Sequence, residues 1–253
     1  MQKLLVSNRR QGKFEVVATA GADEATVYLY DMIVSSDDEA EWWGGVSPQS
    51  FVKALNEITA NTIHLRVNSP GGSVFAGRAI EQAIREHKSK IIVHVDGIAA
   101  SAASFLIMAA DEIIMAPGSF LMIHKAWTFS YGNADDLRKQ ADVLDQLDAS
   151  FVRTYAKRSG QGEEQLATWL AAETWFSDQE AVRQGFADKV ADEEAPKDQG
   201  VNWNLAAFEH APSATIRPAA PPKAVAETPK DPAPEPVDRE KLMRAALKAM
   251  IPA

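Results

Sequence analysis

"KIIVHVDGIAASAASFLIMAADEI", residues 90–113, carries most of what the chain says about its fold. Its first residues are β-branched and apolar and read as a buried strand, Gly97 reads as a tight turn, and a helix is expected from about Ser101. A serine at a helix N-terminus lies beside unpaired N–H groups and the positive end of the helix dipole. Both stabilise negative charge developing on a reacting carbonyl. The alanines around Ser101 would leave room for a substrate backbone. The same residues also suit a plain serine N-cap on a tightly packed helix. Ser104 falls about one turn inside that helix, a poor place for a nucleophile.

Working outward, strands are expected at "ATVYLYDMIV" (25–34), "TIHLRVN" (62–68), "EIIMA" (112–116) and "FLMIH" (120–124). Helical patterns lie between and after them. "SPQSFVKALNEI" has Ser47 as N-cap and Pro48 at the first helical position, and "SVFAGRAIEQAIREH" gathers Val74, Ala79, Ile80 and Ile84 on one side. Over 134–158, Leu137, Ala141, Leu144, Leu147, Phe151 and Tyr155 recur at spacings of three and four, a long amphipathic helix. "SDQEAVRQG" pairs Ser177 with Glu180 as a capping box and stops at Gly185. Strand, helix, strand order implies a largely parallel sheet with helices outside it, an α/β fold.

This folded unit is expected over residues 1–190. Ten of the 13 prolines come after it, and 191–236 reads as a Pro/Ala-rich, disordered linker. The tail 237–253 ends in a short amphipathic helix, with Leu242, Ala246, Leu247 and Met250 near one face and Asp238 as a candidate N-cap. A formal net charge of -9 with no basic run argues against a nucleic-acid or anionic-membrane surface. Zero cysteines remove disulfides, thiolate nucleophiles and cysteine-ligated zinc together. No stretch reaches the roughly 18 apolar residues of a membrane span, and no signal-peptide pattern opens the chain. A cytoplasmic protein is the expectation.

A second motif, "VNSPGGSVFAG" (67–77), reads as strand, Pro-Gly-Gly turn and helix, with Gly71 and Gly72 able to expose backbone N–H groups to a ligand. It lacks the lysine and hydroxyl pair of a phosphate-binding loop. A serine nucleophile needs a base, and histidine, with a pKa of about 6.5, is the usual one. His64 and His94 lie inside apolar strands, His87 at a polar helix end and His210 in the tail. His124 ends a strand, where loops begin and active sites form.

Four blocks in order, "NSPGGSVFAG", "GIAASAASFL", "SFLMIHKAW" and "ETWFSDQEAVRQGFAD", resemble the Clp protease proteolytic subunit family, peptidase family S14, over about residues 25–190. "DMI…WWGGVSPQSF" and the last block are most similar to its phage and prophage branch. The resemblance implies a spiral of repeated ββα units, as in the crotonase fold, and a serine endopeptidase working without metal or cofactor. Ser101 matches the nucleophile, His124 the general base, and the N–H groups of Gly72 and Ala102 the oxyanion hole. Gly71 and Ser73 fall where a substrate strand would bind. Where the family has an aspartate this chain has Glu173, with Asp178 as fallback, and Ala103 replaces a glycine.

The resemblance further implies a homo-oligomeric ring, heptameric or stacked in two, with the 134–158 helix as the stacking handle. It implies a protein substrate, in the phage branch a capsid or scaffold protein, and leaves an ATPase partner open. Rivals are a crotonase-type acyl-CoA enzyme, a Ser-Lys peptidase using Lys125, and a catalytically inactive ring or scaffold subunit.

Overall fold

The computed structural model describes residues 7–9, 11–18, 22–192 and 203–212. The chain divides into residues 1–217 and 218–253. All described residues belong to the first unit, and the expected terminal helix with its Asp238 cap lies outside them.

The sheet has eight strands: β1 (Lys13–Ala18), β2 (Glu24–Tyr30), β3 (Thr62–Ser69), β4 (Lys90–Ala100), β5 (Glu112–Met115), β6 (Phe120–Ile123), β7 (Thr174–Ser177) and β8 (Lys189–Val190). Their order is β1-β2-β3-β4-β5-β8, with β6 on the second half of β4 and β7 on β6. Pairings from β2 through β5 to β8 and from β4 to β6 are parallel, while β1–β2 and β6–β7 are antiparallel.

The strand β4 is the branch point. Ile92 to Val95 pair with β5, and Ile98 to Ala100 pair with β6. The expected turn at Gly97 is therefore absent, and the strand runs through it to Ala100. Pairing with β3 shifts register between Val67 and Ser69, where Asn68 turns its Oδ1 toward the Ile98 N–H at 3.3 Å. A Cβ on Gly97 would lie 2.7 Å from that oxygen, so the glycine makes room for a neighbouring strand.

Helices α1 (Asp37–Trp43), α2 (Pro48–Asn56), α3 (Val74–Glu86), α4 (Ala102–Leu106), α5 (Ala134–Ser159), α6 (Glu163–Ala171) and α7 (Asp178–Arg183) complete the unit. Capping chemistry sets several of their ends. Ser47 caps α2 with Pro48 behind it, Asn133 and Asp136 form a capping box on α5, and Ser177 and Glu180 form the one read from the sequence on α7. The main core joins Val27, Leu65, Val93 and Ile113 of the sheet to Phe51, Ile80, Phe105, Phe151 and Phe186. Of the stripe expected on α5, only Phe151 and Tyr155 are buried, whereas Leu137 and Ala141 are exposed.

A second cluster joins Met32, Val34, Ile98, Ala100 and Met122 to Trp203, Leu205 and Phe208. Residues 203–212, expected within the linker, are thus packed on the folded unit. Trp203 donates its indole N–H to the backbone oxygen and Oδ1 of Asn68 at 3.2 and 3.1 Å. The Asn8 side chain donates its Nδ2 to the Asn204 carbonyl at 3.0 Å and accepts the Asn204 backbone N–H at its Oδ1 at 2.6 Å. The large apolar side chains outweigh the Pro/Ala-rich surroundings because each removes extensive area from water.

The docked half of α5 yields a stability prediction. Phe151 stacks on Phe105 with ring centroids 5.1 Å apart, beneath the Arg78 guanidinium. Phe151→Ala should destabilise the unit by about 3–5 kcal/mol, the range for truncating a buried phenylalanine. Urea unfolding of the purified variant would measure it, and a loss below about 1 kcal/mol would contradict the packing.

Candidate active site

The strand register brings the site together. Ala100 pairs with Met122, and the next N–H, that of Ser101, donates to the Met122 carbonyl at 3.0 Å. His124 therefore leaves β6 beside Ser101. On the other side of β6, Ile123 pairs with Thr174, so Glu173 enters β7 opposite His124. Three residues distant in sequence thus meet at adjoining ends of β4, β6 and β7.

Ser101 is not an ordinary N-cap. Its φ of 55 and ψ of -121 put it in a strained turn between β4 and α4, and its side chain makes no cap hydrogen bond. Its hydroxyl lies 2.8 Å from His124 Nε2. Ser101 and Glu173, at φ 47, are the two non-glycine residues with positive φ among the described residues. Such strain costs about 1–3 kcal/mol each and persists where the surroundings over-determine it. Around Ser101 they do so through Ser104. The N–H and Oγ of Ser104 both donate to the Ser101 carbonyl, at 2.9 and 2.7 Å, and Ser104 Oγ also bonds the buried Tyr155 hydroxyl at 2.7 Å. The second serine of the motif therefore braces the first.

Gly71 and Gly72 have φ of 85 and 150, and Gly71 presses against the same turn. A Cβ on Gly71 would lie 2.7 Å from the Ala102 nitrogen, and one on Gly72 would collide with the Ile33 carbonyl. Ile33 takes the Gly71 carbonyl and the Ser73 N–H, at 2.9 and 2.8 Å. Ser73 also caps α3 with its side chain and accepts the Gly77 N–H at its carbonyl. Its N–H, carbonyl and side chain thus all hydrogen-bond within the chain, and Ser73 serves as the N-cap of α3. The Gly72 N–H has no backbone acceptor among the described residues. Ala102 opens α4, where an N–H has no carbonyl one turn back to receive it. Ala102 directly follows Ser101, and the Gly71 backbone packs against the Ala102 nitrogen.

His124 is held neutral. Burial pulls its pKa down to about 4, against the opposing pull of the Glu173 charge. A neutral ring lets Nε2 accept from the Ser101 hydroxyl and leaves the proton on Nδ1. Glu173 makes no direct hydrogen bond to the ring among those the structure describes. Its carboxylate accepts from Trp175 Nε1 at 3.3 Å and from the backbone N–H groups of Glu209 and His210 at 3.0 and 2.7 Å. The fallback, Asp178, accepts instead from the N–H groups of Gly118 and Gln179 at 2.9 and 2.7 Å, which ties it to a turn away from the imidazole. Lys125 Nζ lies 3.8 Å from Asp148, so the adjacent lysine is engaged elsewhere.

The other histidines are placed apart from Ser101. His64 and His94 contact each other at 3.0 Å across β3 and β4, and His87 contacts the Leu55 carbonyl at 3.1 Å. His210 contributes its backbone N–H to Glu173, a role that no residue type announces. Phe208 went unnoticed from sequence as well. Its ring meets the imidazole edge-on with centroids 5.6 Å apart.

An imidazole 2.8 Å from a serine hydroxyl can take the hydroxyl proton as the oxygen attacks an acyl carbon. The chain belongs to the Clp protease family, whose family model, described as Clp protease, matches residues 48–194. It is similar to an ATP-dependent Clp protease proteolytic subunit of Deinococcus radiodurans, 33% identical over 133 residues, which are 52% of this chain and 65% of that protein. Subunits of the same description match from Pleurastrum terricola, 31% identical over 56% of this chain and 79% of the relative, and from Chlorella vulgaris, 30% identical over 51% and 65%. The chain thus spans just under two thirds of the Deinococcus and Chlorella relatives. No helix among the described residues is long and apolar enough to cross a membrane.

The buried imidazole sets a pH dependence. Its folded pKa lies below the unfolded value of about 6.5, so the unfolded chain binds protons first as pH falls. The stability it contributes is whole above pH about 6.5 and is lost as pH drops toward the folded pKa of about 4. An NMR titration of the His124 ring should give a midpoint well below 6, and a midpoint near the free value would contradict the burial.

Proposed function

We propose that this chain is a serine endopeptidase that hydrolyses peptide bonds through an acyl-enzyme. The observation that carries the reading is the 2.8 Å contact between Ser101 Oγ and His124 Nε2 at a strained turn, and to it we add, on the family resemblance, the Gly72 and Ala102 N–H groups as oxyanion donors. The Ser101 oxygen attacks the scissile carbonyl carbon while its proton passes to Nε2. The developing oxyanion is held by the two N–H groups. The C–N bond then breaks, and His124 returns the proton to the leaving amine. Water, deprotonated by the same nitrogen, releases the acyl group and restores the serine. Glu173 balances the charge of the imidazolium. Nothing in these steps requires a metal or nucleotide.

The forked β4 is in keeping with the spiral of ββα units that the family resemblance implies. A homo-oligomeric ring is supported by apolar surface outside this chain's own core. Phe129 and Tyr131 are 86% and 88% exposed, and Leu137 and Val143 line the uncovered half of α5. For the substrate we propose a protein of a phage or prophage capsid or scaffold, the reading suggested by the similarity to the phage branch. The relatives' description, ATP-dependent Clp protease proteolytic subunit, favours a second reading, degradation of proteins delivered by an ATPase. Both use the same site.

Two measurements test this. A fluorophosphonate probe should add to Ser101 and fail to add in Ser101→Ala, which would exclude the inactive-subunit and acyl-CoA readings. Glu173→Gln should lower the rate by a factor on the order of 10² or more, given that neutralising the third member of a triad costs up to about 10⁴. Intact-mass analysis after incubation with a capsid protein, with no ATPase present, separates maturation from delivered degradation. Defined cleavage supports the first, and an uncut capsid protein the second.

A further inference from the structure

Both oxygens of the Glu173 carboxylate are engaged by residues from beyond the protease core. Oε1 accepts the His210 N–H at 2.7 Å and the Trp175 indole N–H at 3.3 Å, and Oε2 accepts the Glu209 N–H at 3.0 Å. A carboxylate offers about four acceptor positions. Three are taken, and the one left is on Oε2. The segment that supplies the two backbone donors is itself fixed, by Trp203 on Asn68 and by Leu205 and Phe208 in the second cluster. Phe208 lies against both His124 and Trp175, with ring centroids 5.6 and 5.8 Å apart.

A glutamate has one more rotatable bond than an aspartate, so an unrestrained carboxylate at position 173 would spread over more positions. Hydrogen-bond donors to its two oxygens remove that freedom, and catalytic groups held this way keep their geometry through the reaction. We propose that residues 203–212 are a positioning strap for the site. The N–H groups of Glu209 and His210 fix the Glu173 carboxylate with one acceptor position left for the Nδ1–H of His124, while the Phe208 ring closes the imidazole edge against water. The inference rests on the serine-peptidase reading above.

Because the donors are backbone groups, proline substitution removes them one at a time. The readout is the rate at which a fluorophosphonate labels Ser101, resolved into a maximal rate and a half-saturating probe concentration. In the full chain, His210→Pro should lower the maximal rate about tenfold or more, the scale for losing an outer-shell partner, with half-saturation changed less than twofold. His210→Ala keeps the N–H and should lose less than threefold. Glu209→Pro, read alongside, carries the same expectation for Oε2. In a Glu173→Ala background, His210→Pro should add less than a twofold effect, because the carboxylate it positions is gone.

Three outcomes would overturn the strap. One is faster labelling in His210→Pro, which would make the segment a latch holding Glu173 off the imidazole. The second is equal loss in His210→Pro and His210→Ala. The third is a full additional loss in the Glu173→Ala background, the mark of a purely structural contact. Absence of label on wild-type Ser101 would instead sink the peptidase reading, and the strap with it.

Discussion

The site depends on one stretch of backbone pairing, the parallel ladder between the end of β4 and β6. If Ala100 did not pair with Met122, the Ser101 N–H would have no carbonyl to meet and His124 would leave its strand elsewhere. A slip of one residue would also turn every side chain of β6 to the opposite face. The register is held because Leu121 and Ile123 belong to the main core while Met122 belongs to the second cluster. The two apolar faces of β6 thus specify the distance between a hydroxyl and an imidazole.

The second cluster explains why that ladder can lie at the margin of the sheet and remain dry. Ala100 and Met122 are fully buried although they adjoin the site, because Trp203, Leu205 and Phe208 cover them. Burial, to which the Phe208 ring against the imidazole contributes, depresses the His124 pKa, since the charged imidazolium loses more by desolvation than the neutral ring. A neutral ring is the form that can accept a proton from serine. The segment that packs the ladder therefore also reaches the imidazole, through Phe208.

Much of this was readable in the residues, and the failures have identifiable causes. Ser101 and His124 stood out because small residues after an apolar run and a histidine at a strand end are local signals. The continuation of β4 through Gly97 was not local: it follows from the Asn68 side chain on the neighbouring strand, which fills the space where a Cβ would go. The packed segment at 203–212 was hidden by averaging over a Pro/Ala-rich stretch, although "WNLAAF" holds three large apolar residues within six positions. The role of Ser104 required knowing that Tyr155, some fifty residues later, ends beside it. Nothing in the chain around Glu173 announces its left-handed backbone, which the β6–β7 pairing and the turn after α6 impose.

Strain connects these parts. Ser101 and Glu173 each hold a backbone conformation costing about 1–3 kcal/mol, which is a sizeable fraction of a typical net stability of about 5–15 kcal/mol. Each is held by elements that are not themselves reactive. Ser101 is pinned by Met122 on one side and by Ser104 and Tyr155 on the other. Glu173 is held at its backbone by the Leu170 carbonyl and at its carboxylate by three donors. Relaxing Ser101 to an ordinary conformation would turn its hydroxyl away from His124. The core thus offsets a local cost that gains nothing for folding, and that cost falls on the residue in contact with the imidazole and on the residue that enters β7 opposite it.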